Sequence, residues 1–491
     1  MKKIAIFITL IFITLTSCEE FLEKNPADSV ITELAIKSYE DAVVAINGVY
    51  SAFKSTGYYG RYFVVHADVL TDEVQSVIGY SNQLGEFYKW SFLADNGEVT
   101  AAWNITYKVI VRASNIIDAL PGIDDADQAQ LEMIEGEARL ARAIDHFDLV
   151  KAFAKAYLQS DPFSDLGVPI IEHFAVAEPE RNTIEEVYSF ILDEARSAKG
   201  LLPENGEADV GSVFLTSVAA EAFMARVSLY MGKYDDAIAY ATGVIDNPLY
   251  ELARDSATYA ELFLNDLGSE IIFKIGLTRS DFDGRYIGYN YYNNSQGPPN
   301  SDYIPSDWII NLFNTNDYRN DIIFKTEITE HGWSWPLVWK YPGNPLFYGS
   351  DITTNANMYK VFRLSEMYLI RAEAFAELDQ FNIALTDYNT LRSARIDNYT
   401  NENLTGQALK DAIWEERIRE FCFEGHYYWD LKRKGKGFQR VPITHPTEGV
   451  ITNPGPSQSE LQIRPDDEMW VWPIPESELR ANDNITPNPG Y

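Results

Sequence analysis

Residues 216–241 read TSVAAEAFMARVSLYMGKYDDAIAYA, and this stretch determines the kind of fold that we expect. Small and apolar residues recur at helical spacing from Thr216 to Tyr230, and Gly232 then interrupts the pattern. A second helical pattern begins at Asp235. The alanines in both halves are small enough for two helices to approach each other closely. The stretch therefore predicts two helices that are joined by a short turn and pack together.

The same arrangement recurs at residues 365–394. A helical pattern from Ser365 to Ala374 is followed by a turn at Asp379 and by a second helical pattern. Both stretches resemble the helix pair of a tetratricopeptide repeat. Because the two units lie far apart in the sequence, we do not expect them to form one contiguous solenoid.

Further helical patterns cover much of the N-terminal half of the chain. They begin near Ser38 and include residues 98–120, 127–157 and 183–199. Residues 61–97 instead mix short apolar runs with glycines, and we interpret them as loops over the body of the protein. The sequence as a whole therefore predicts a mainly α fold.

Residues 286–348 lack a helical pattern and are nearly twice as rich in aromatic residues as the whole chain, which is 13% aromatic. Asn, Gly and Pro accompany the rings, so we expect loops and short strands across one side of the helices. A tyrosine or tryptophan face can stack on the C–H groups of a sugar, and Asn can hydrogen-bond its hydroxyls. Alternatively, the rings only pack the loops onto the helices, which is our interpretation of Trp339. The ligand-binding candidates are Tyr289, Tyr291, Tyr292, Asn293, Trp333 and Trp335, with Tyr80 and Asn82 in an earlier loop.

Charge and motif content exclude several classes of function. The formal net charge of −33 disfavours nucleic acid and anionic lipid head groups as ligands. The chain has no Gly-x-Ser-x-Gly, His-Glu-x-x-His or phosphate-loop motif, and no pair among its many carboxylates is marked out for glycoside hydrolysis. Its six histidines are scattered without ligand spacing. We therefore expect neither an enzyme nor a metal site.

The N-terminus has the layout of an export signal. Lys2 and Lys3 precede an uncharged stretch that ends at Ser17, too short to span a bilayer. Cys18 follows, and this order resembles the lipobox of bacterial lipoproteins. We expect cleavage before Cys18 and its modification by a diacylglycerol and an acyl chain such as palmitate, with no other cofactor. The alternative is an ordinary signal peptide with a cysteine there by chance.

Three motifs in the C-terminal third resemble the SusD/RagB family of outer-membrane lipoproteins of Bacteroidota. They read RLSEMYLIRAEA at 363–374, EERIREFCFEGHYYWDLKR at 415–433 and WPIPESEL at 472–479. The second motif departs from the family at Cys422 and His426. The charged residues of these motifs stand at helical spacing among apolar ones, so we assign them to the scaffold and not to ligand binding.

The resemblance implies a fold of about eight helices in tetratricopeptide-like pairs, with loops and short strands covering one face. It implies a lipid-anchored position in the outer membrane, facing the cell exterior. It also implies a partner, a SusC-like TonB-dependent barrel, which such a protein caps while oligosaccharides are captured and imported. Two alternatives stay open: a peptide-binding member of the family, and a structural lid that binds no ligand itself.

These interpretations divide the chain as follows. Residues 1–17 are the signal peptide, 18–33 the lipidated tether and 34–491 one SusD-like domain, with a helical part at 34–250, a loop-rich insertion on the ligand face at 251–360 and a helical and tail part at 361–491.

Overall fold

The structure is a computed structural model. It describes residues 36–79, 81–281, 286–292, 298–347, 356–441, 448–450 and 461–491. Three residues singled out in the sequence, Cys18, Tyr80 and Asn293, lie outside the described residues, as do the predicted signal peptide and tether.

Helices dominate the described part of the chain, which contains 17 of them. They are α1 Tyr39–Phe53, α2 Tyr62–Val69, α3 Gly85–Tyr88, α4 Gly97–Ala119, α5 Gln128–Phe153, α6 Ile184–Leu201, α7 Ser217–Tyr230, α8 Tyr234–Ile245, α9 Ser256–Leu264, α10 Tyr289–Tyr292, α11 Asp307–Ile310, α12 Arg319–Ile323, α13 Leu364–Glu377, α14 Phe381–Ser393, α15 Gly406–Phe421, α16 Tyr427–Arg433 and α17 Glu476–Ala481. No described helix is long and apolar enough to cross a bilayer.

Eight strands accompany the helices in the described residues. They are β1 Val74–Ser76, β2 Ile271–Lys274, β3 Tyr303–Pro305, β4 Phe324–Ile328, β5 Ser334–Val338, β6 Lys360–Arg363, β7 Phe438–Arg440 and β8 Leu461–Ile463. They form four antiparallel two-stranded sheets, which pair β1 with β3, β2 with β6, β4 with β5 and β7 with β8.

Side chains cap several helices at the starts that the sequence predicts. Ser38 and Asp41 form a capping box at the start of α1, and Thr183 and Glu186 form another at the start of α6. The side chain of Asn96 accepts hydrogen bonds from two backbone N–H groups in the first turn of α4. Local sequence therefore determines where these helices begin.

Eight of the helices form one array in which each helix packs against the next. The order is α1, α4, α5, α6, α7, α8, α13 and α14. The pairs α7–α8 and α13–α14 are the two units predicted from their alanine-rich sequences. Gly232 turns the first pair with a φ of +70°, and Asp379 turns the second with a φ of +57°. The prediction of a mainly α fold with tetratricopeptide-like pairs is confirmed.

Two sequence-based expectations need correction. First, α8 packs directly against α13, so the two units are neighbours in one array although a long segment separates them in sequence. Second, residues 61–97 are not only loops, because they contain the eight-residue helix α2. Every residue of α2 after Tyr62 is buried, so it has no polar face and shows no amphipathic period. The region 286–348 contains the expected strands, together with three helices of four or five residues.

A buried ion network joins the C-terminal motifs to the rest of the scaffold. Glu420, at the end of α15, accepts hydrogen bonds from Arg363 at 2.8 Å and from Arg395 at 2.9 Å. Both arginines also pair with Glu270, and Arg363 pairs with Glu424. None of these five side chains is more than 2% exposed. The scaffold role expected for Glu420 is therefore confirmed, and its partners come from distant segments.

Candidate ligand-binding face

Helix α10 carries three of the predicted ligand-binding tyrosines, and it turns them in different directions. Tyr289 and Tyr292 are three residues apart, so they lie on one side of the turn, and both are half-buried. Tyr291 points inward and is fully buried. Its hydroxyl donates a hydrogen bond of 2.6 Å to Asp68. Tyr291 thus presents no surface to a ligand in this conformation, whereas Tyr289 and Tyr292 do.

Arg61, just before α2, contacts two tyrosine rings. Its guanidinium carbon is 4.6 Å from the centre of the Tyr62 ring and 4.5 Å from the centre of the Tyr289 ring. Its Nε donates to the side-chain oxygen of Asn290 at 2.9 Å, and its Nη2 donates to the side-chain oxygen of Gln83. The Arg61 side chain therefore joins α2, α10 and the loop before α3.

Stacked rings continue inward from Tyr62. The Tyr62 ring stacks on the ring of His66. The ring centres of His66 and Phe87 are 4.1 Å apart, and those of Phe87 and Phe92 are 4.4 Å apart, so these rings are stacked as well. Burial, together with the charge of Arg61, lowers the pKa of His66 to about 3, so its ring is neutral at pH 7. A single column thus connects the surface tyrosines to the core.

Asp302 fastens the loop that carries Asn82 to helix α10. Its carboxylate accepts hydrogen bonds from the backbone N–H and the hydroxyl of Ser81, both at 2.7 Å, and from the side chain of Asn290 at 3.0 Å. Asn82 itself is exposed and has a φ of +59°, a conformation that asparagine tolerates better than most residues. The structure therefore brings Asn82 and Tyr289, two predicted site residues, to the same region.

The two predicted tryptophans, Trp333 just before β5 and Trp335 within it, lie close together but differ in burial. The ring centres of Trp333 and Trp335 are 5.6 Å apart. Trp335 is buried and donates from Nε1 to the Glu448 carbonyl at 2.8 Å, so it belongs to a small core beneath the surface. Trp333 is half-buried and packs on that small core, as Tyr292 does. Trp333 and Tyr292 therefore lie on the same support.

The half-buried rings of Tyr62, Tyr289, Tyr292 and Trp333, with Asn82 at the rim, form a surface that we call the aromatic face. Tyr62 and the buried Arg61 were not predicted from the sequence, because their neighbours resemble loop sequence. The run Tyr-Tyr-Gly-Arg-Tyr-Phe at 58–63 was a signal of aromatic density that could have indicated them. Trp339 is also half-buried, and its ring packs edge-on against Tyr292.

A polar cavity of about 290 Å³ borders the aromatic face at Asn82. Glu86, Asp95, Asn96 and Glu98 contribute to its lining. Glu86 accepts a hydrogen bond of 2.6 Å from the side chain of Asn96, so part of this lining is already ordered. Carboxylate and amide oxygens accept hydrogen bonds from hydroxyls. The cavity therefore extends the hydrogen-bonding capacity of the face.

Comparison with known proteins identifies the family. A family model described as starch-binding and associating with the outer membrane matches residues 20–229, and the SusD family model matches residues 325–491. A SusD-like protein of Formosa agariphila is 26% identical, with all of both chains covered.

Solved structures share the fold. A SusD superfamily protein of Bacteroides thetaiotaomicron is 26% identical, covers 92% of this chain with 100% of its own, and has a TM-score of 0.80. A laminarin-binding SusD-like protein, 20% identical, covers 93% of this chain with 100% of its own and has a TM-score of 0.72. With the two family models matching both the helical array and the C-terminal motifs, the chain belongs to the SusD/RagB family.

Proposed function

We propose that this protein is a surface lipoprotein of the outer membrane that binds oligosaccharides and delivers them to a SusC-like TonB-dependent barrel. The observation that carries the proposal is the aromatic face, where the partly exposed rings of Tyr292 and Trp333 pack on one small core and those of Tyr62 and Tyr289 both contact Arg61. Sugars offer C–H groups on one side of the ring and hydroxyls around it. Tyrosine and tryptophan suit the former, and the amide of Asn82 suits the latter.

The proposed transport role follows from the anchor and the family. A lipid on Cys18 would hold the protein beside the barrel, where a bound glycan reaches a high local concentration near the barrel mouth. The family model that matches residues 20–229 is described as starch-binding and associating with the outer membrane, which agrees with this role. One relative of the same fold is named for binding laminarin, a further indication that glycans are the ligand class.

We propose binding without catalysis. Nothing in the aromatic face resembles the two opposed carboxylates that glycoside hydrolysis requires, because the partly exposed groups of the face are rings and an amide. Incubation of the protein with a bound oligosaccharide should leave its chain length unchanged by mass spectrometry. Shortened products would show that a hydrolytic site is present.

Isothermal titration against a panel of plant, host and microbial glycans that includes laminarin tests the proposal. The wild-type protein should bind at least one glycan weakly, and Tyr289→Ala should weaken that binding about tenfold because one stacking surface is lost. Phe163→Ala is the matched control, since this ring is 73% exposed on the loop between α5 and α6, outside the aromatic face. It should leave the affinity unchanged.

Two results would contradict glycan binding. If the folded protein binds no glycan and instead co-purifies with mixed peptides in native mass spectrometry, it is a peptide-binding member of the family. If it binds neither, and if replacing Tyr289, Tyr292 and Trp333 by Ala leaves nutrient uptake intact while deletion of the protein abolishes it, the protein is a structural lid.

A further inference from the structure

We propose that Arg61 positions the Tyr289 ring for ligand binding, so that affinity depends on Arg61 although the ligand does not touch it. This inference rests on the proposed function. Arg61 is 0% exposed, which excludes direct contact with a ligand in this conformation. Its effect on binding must therefore pass through the groups that it contacts.

The guanidinium fixes the plane of the Tyr289 ring. A planar cation within about 6 Å of a ring centre is attracted to the face of the ring. The guanidinium carbon of Arg61 lies over the Tyr289 ring, 4.5 Å from its centre, and over the Tyr62 ring, 4.6 Å from its centre, so it contacts both rings. Because the guanidinium covers one face of Tyr289, a sugar that stacks on this ring must use the opposite face.

Hydrogen bonds from two nitrogens of the guanidinium prevent it from rotating relative to the Tyr62 and Tyr289 rings. Nε donates to Asn290, which is buried in the same helical turn as Tyr289, and Nη2 donates to Gln83. Asn290 is held in turn by its hydrogen bond to Asp302. The arginine thus sets the orientation of the ring and the position of the turn that carries it.

The same contacts explain why lysine cannot replace this arginine. An ammonium group is a compact point charge without a planar face, and it cannot stack on two rings while donating along two fixed directions. Arg61→Lys keeps the positive charge and removes the geometry. This variant therefore separates positioning from simple electrostatics.

Arg440→Lys provides a matched control. Arg440 is also 0% exposed, and its guanidinium carbon lies 3.8 Å from the centre of the Tyr88 ring. It donates to the backbone carbonyls of Val69, Thr71 and Tyr88, none of which belongs to the aromatic face. Both variants should lower the melting temperature, because both remove a buried stacked arginine. Only Arg61→Lys should weaken glycan binding, by about tenfold. Equal affinity of Arg61→Lys and the wild type would overturn the proposal.

A double-mutant cycle tests whether Arg61 acts through Tyr289. In a Tyr289→Ala background, Arg61→Lys should cause no further loss of affinity, since the ring that it positions is absent. If the double mutant instead loses affinity by the product of the two single-mutant factors, Arg61 contributes independently of Tyr289. That result would contradict the positioning role.

A measurement without ligand keeps the two proposals distinguishable. Tyrosine nitration by tetranitromethane, mapped by mass spectrometry, should be several-fold faster at Tyr289 in Arg61→Lys than in the wild type and unchanged there in Arg440→Lys. If the wild type binds no glycan, the proposed function fails. If Tyr289 is nitrated at the same rate in Arg61→Lys as in the wild type, the positioning role of Arg61 fails, whatever the outcome for glycan binding. If Arg61→Lys does not fold, Gln83→Ala can be used instead, because it removes one hydrogen-bond acceptor of Arg61. It should raise the nitration rate of Tyr289 about two-fold. No increase in that rate would overturn the positioning role of Arg61.

Discussion

The hydroxyl of Tyr291 donates a 2.6 Å hydrogen bond to the buried carboxylate of Asp68, and this bond joins the short helix of the aromatic face to helix α2. Asp68 also accepts from the backbone N–H of Gly425 in the second C-terminal motif. Burial raises the pKa of Asp68 to about 7, while these two donors act in the opposite direction. One buried tyrosine thus anchors the turn from which Tyr289 and Tyr292 reach the surface.

Tyr291→Phe should lower the free energy of unfolding by about 1–3 kcal/mol. The substitution leaves one oxygen of a fully buried carboxylate without its donor, and an unsatisfied buried polar group costs that much. Urea denaturation measures the change. Tyr240→Phe is the control, since Tyr240 is half-buried on α8 and its hydroxyl makes a long, exposed hydrogen bond of 3.4 Å with Arg196; it should change the free energy by less than about 0.5 kcal/mol. Equal effects of the two variants would show that the Asp68 bond is not stabilising.

Glu420→Gln should destabilise the protein by about 3–5 kcal/mol, because it leaves Arg363 and Arg395 as incompletely compensated buried cations. Glu415→Gln is the control in the same helix. Its carboxylate pairs with Arg419 but is 53% exposed, so the loss should stay below about 1 kcal/mol. Thermal unfolding of both variants tests the contrast. If Glu420→Gln loses no more stability than Glu415→Gln, the buried ion network is not important for stability.

As the pH rises from about 4.5 to about 7, Glu137 should lower the free energy of unfolding, whereas the buried neutral His66 and His146 should raise it up to about pH 6.5. Burial raises the pKa of Glu137 to about 7, so in this window the folded state keeps a proton that the unfolded state has released. By linkage the stability decreases with pH there, by up to about 3 kcal/mol for this group.

Glu137→Gln should therefore make the free energy of unfolding fall less steeply, or rise more steeply, between these pH values than it does in the wild type. The pH dependence should not vanish, because burial also raises the pKa values of Asp68 and Asp72 to about 7 and lowers those of His66 and His146 to about 3. A slope identical to that of the wild type would show that Glu137 does not titrate in this range.

Cys18→Ser should move the protein out of the membrane fraction, because the thiol that receives the lipid is absent. Metabolic labelling with a clickable palmitate analogue should mark the wild type and not the variant. Cys422→Ala is the control. Because Cys422 is fully buried, this substitution should leave the labelling unchanged. Labelling that survives Cys18→Ser would rule out this cysteine as the anchor.

Local patterns in the sequence predicted the helical array well, because small residues and capping side chains act over a few positions. The alanines of 216–241 indicated α7 and α8, and Thr183 indicated the start of α6. Helix α2 escaped prediction because it is buried on all sides. The contact of α8 with α13 escaped because no local pattern encodes a contact between segments so far apart in sequence.

The candidate site was predictable in part for the same reason. Aromatic density indicated Tyr289, Tyr292 and Trp333, which the structure leaves partly exposed. Composition could not distinguish them from Tyr291, since the direction of a ring within one helical turn depends on the surrounding fold. Nor could it reveal that Arg61 lies against Tyr289, because the two residues are distant in the sequence.

A crystal structure of the protein with the tightest-binding oligosaccharide from the titration panel would show where the glycan binds. We expect a sugar ring within about 4 Å of Tyr289, on the face opposite Arg61. Hydroxyls of the same glycan should contact Asn82 or the adjoining polar cavity. An oligosaccharide bound elsewhere, with the aromatic face unoccupied, would contradict the proposal that this face binds glycans.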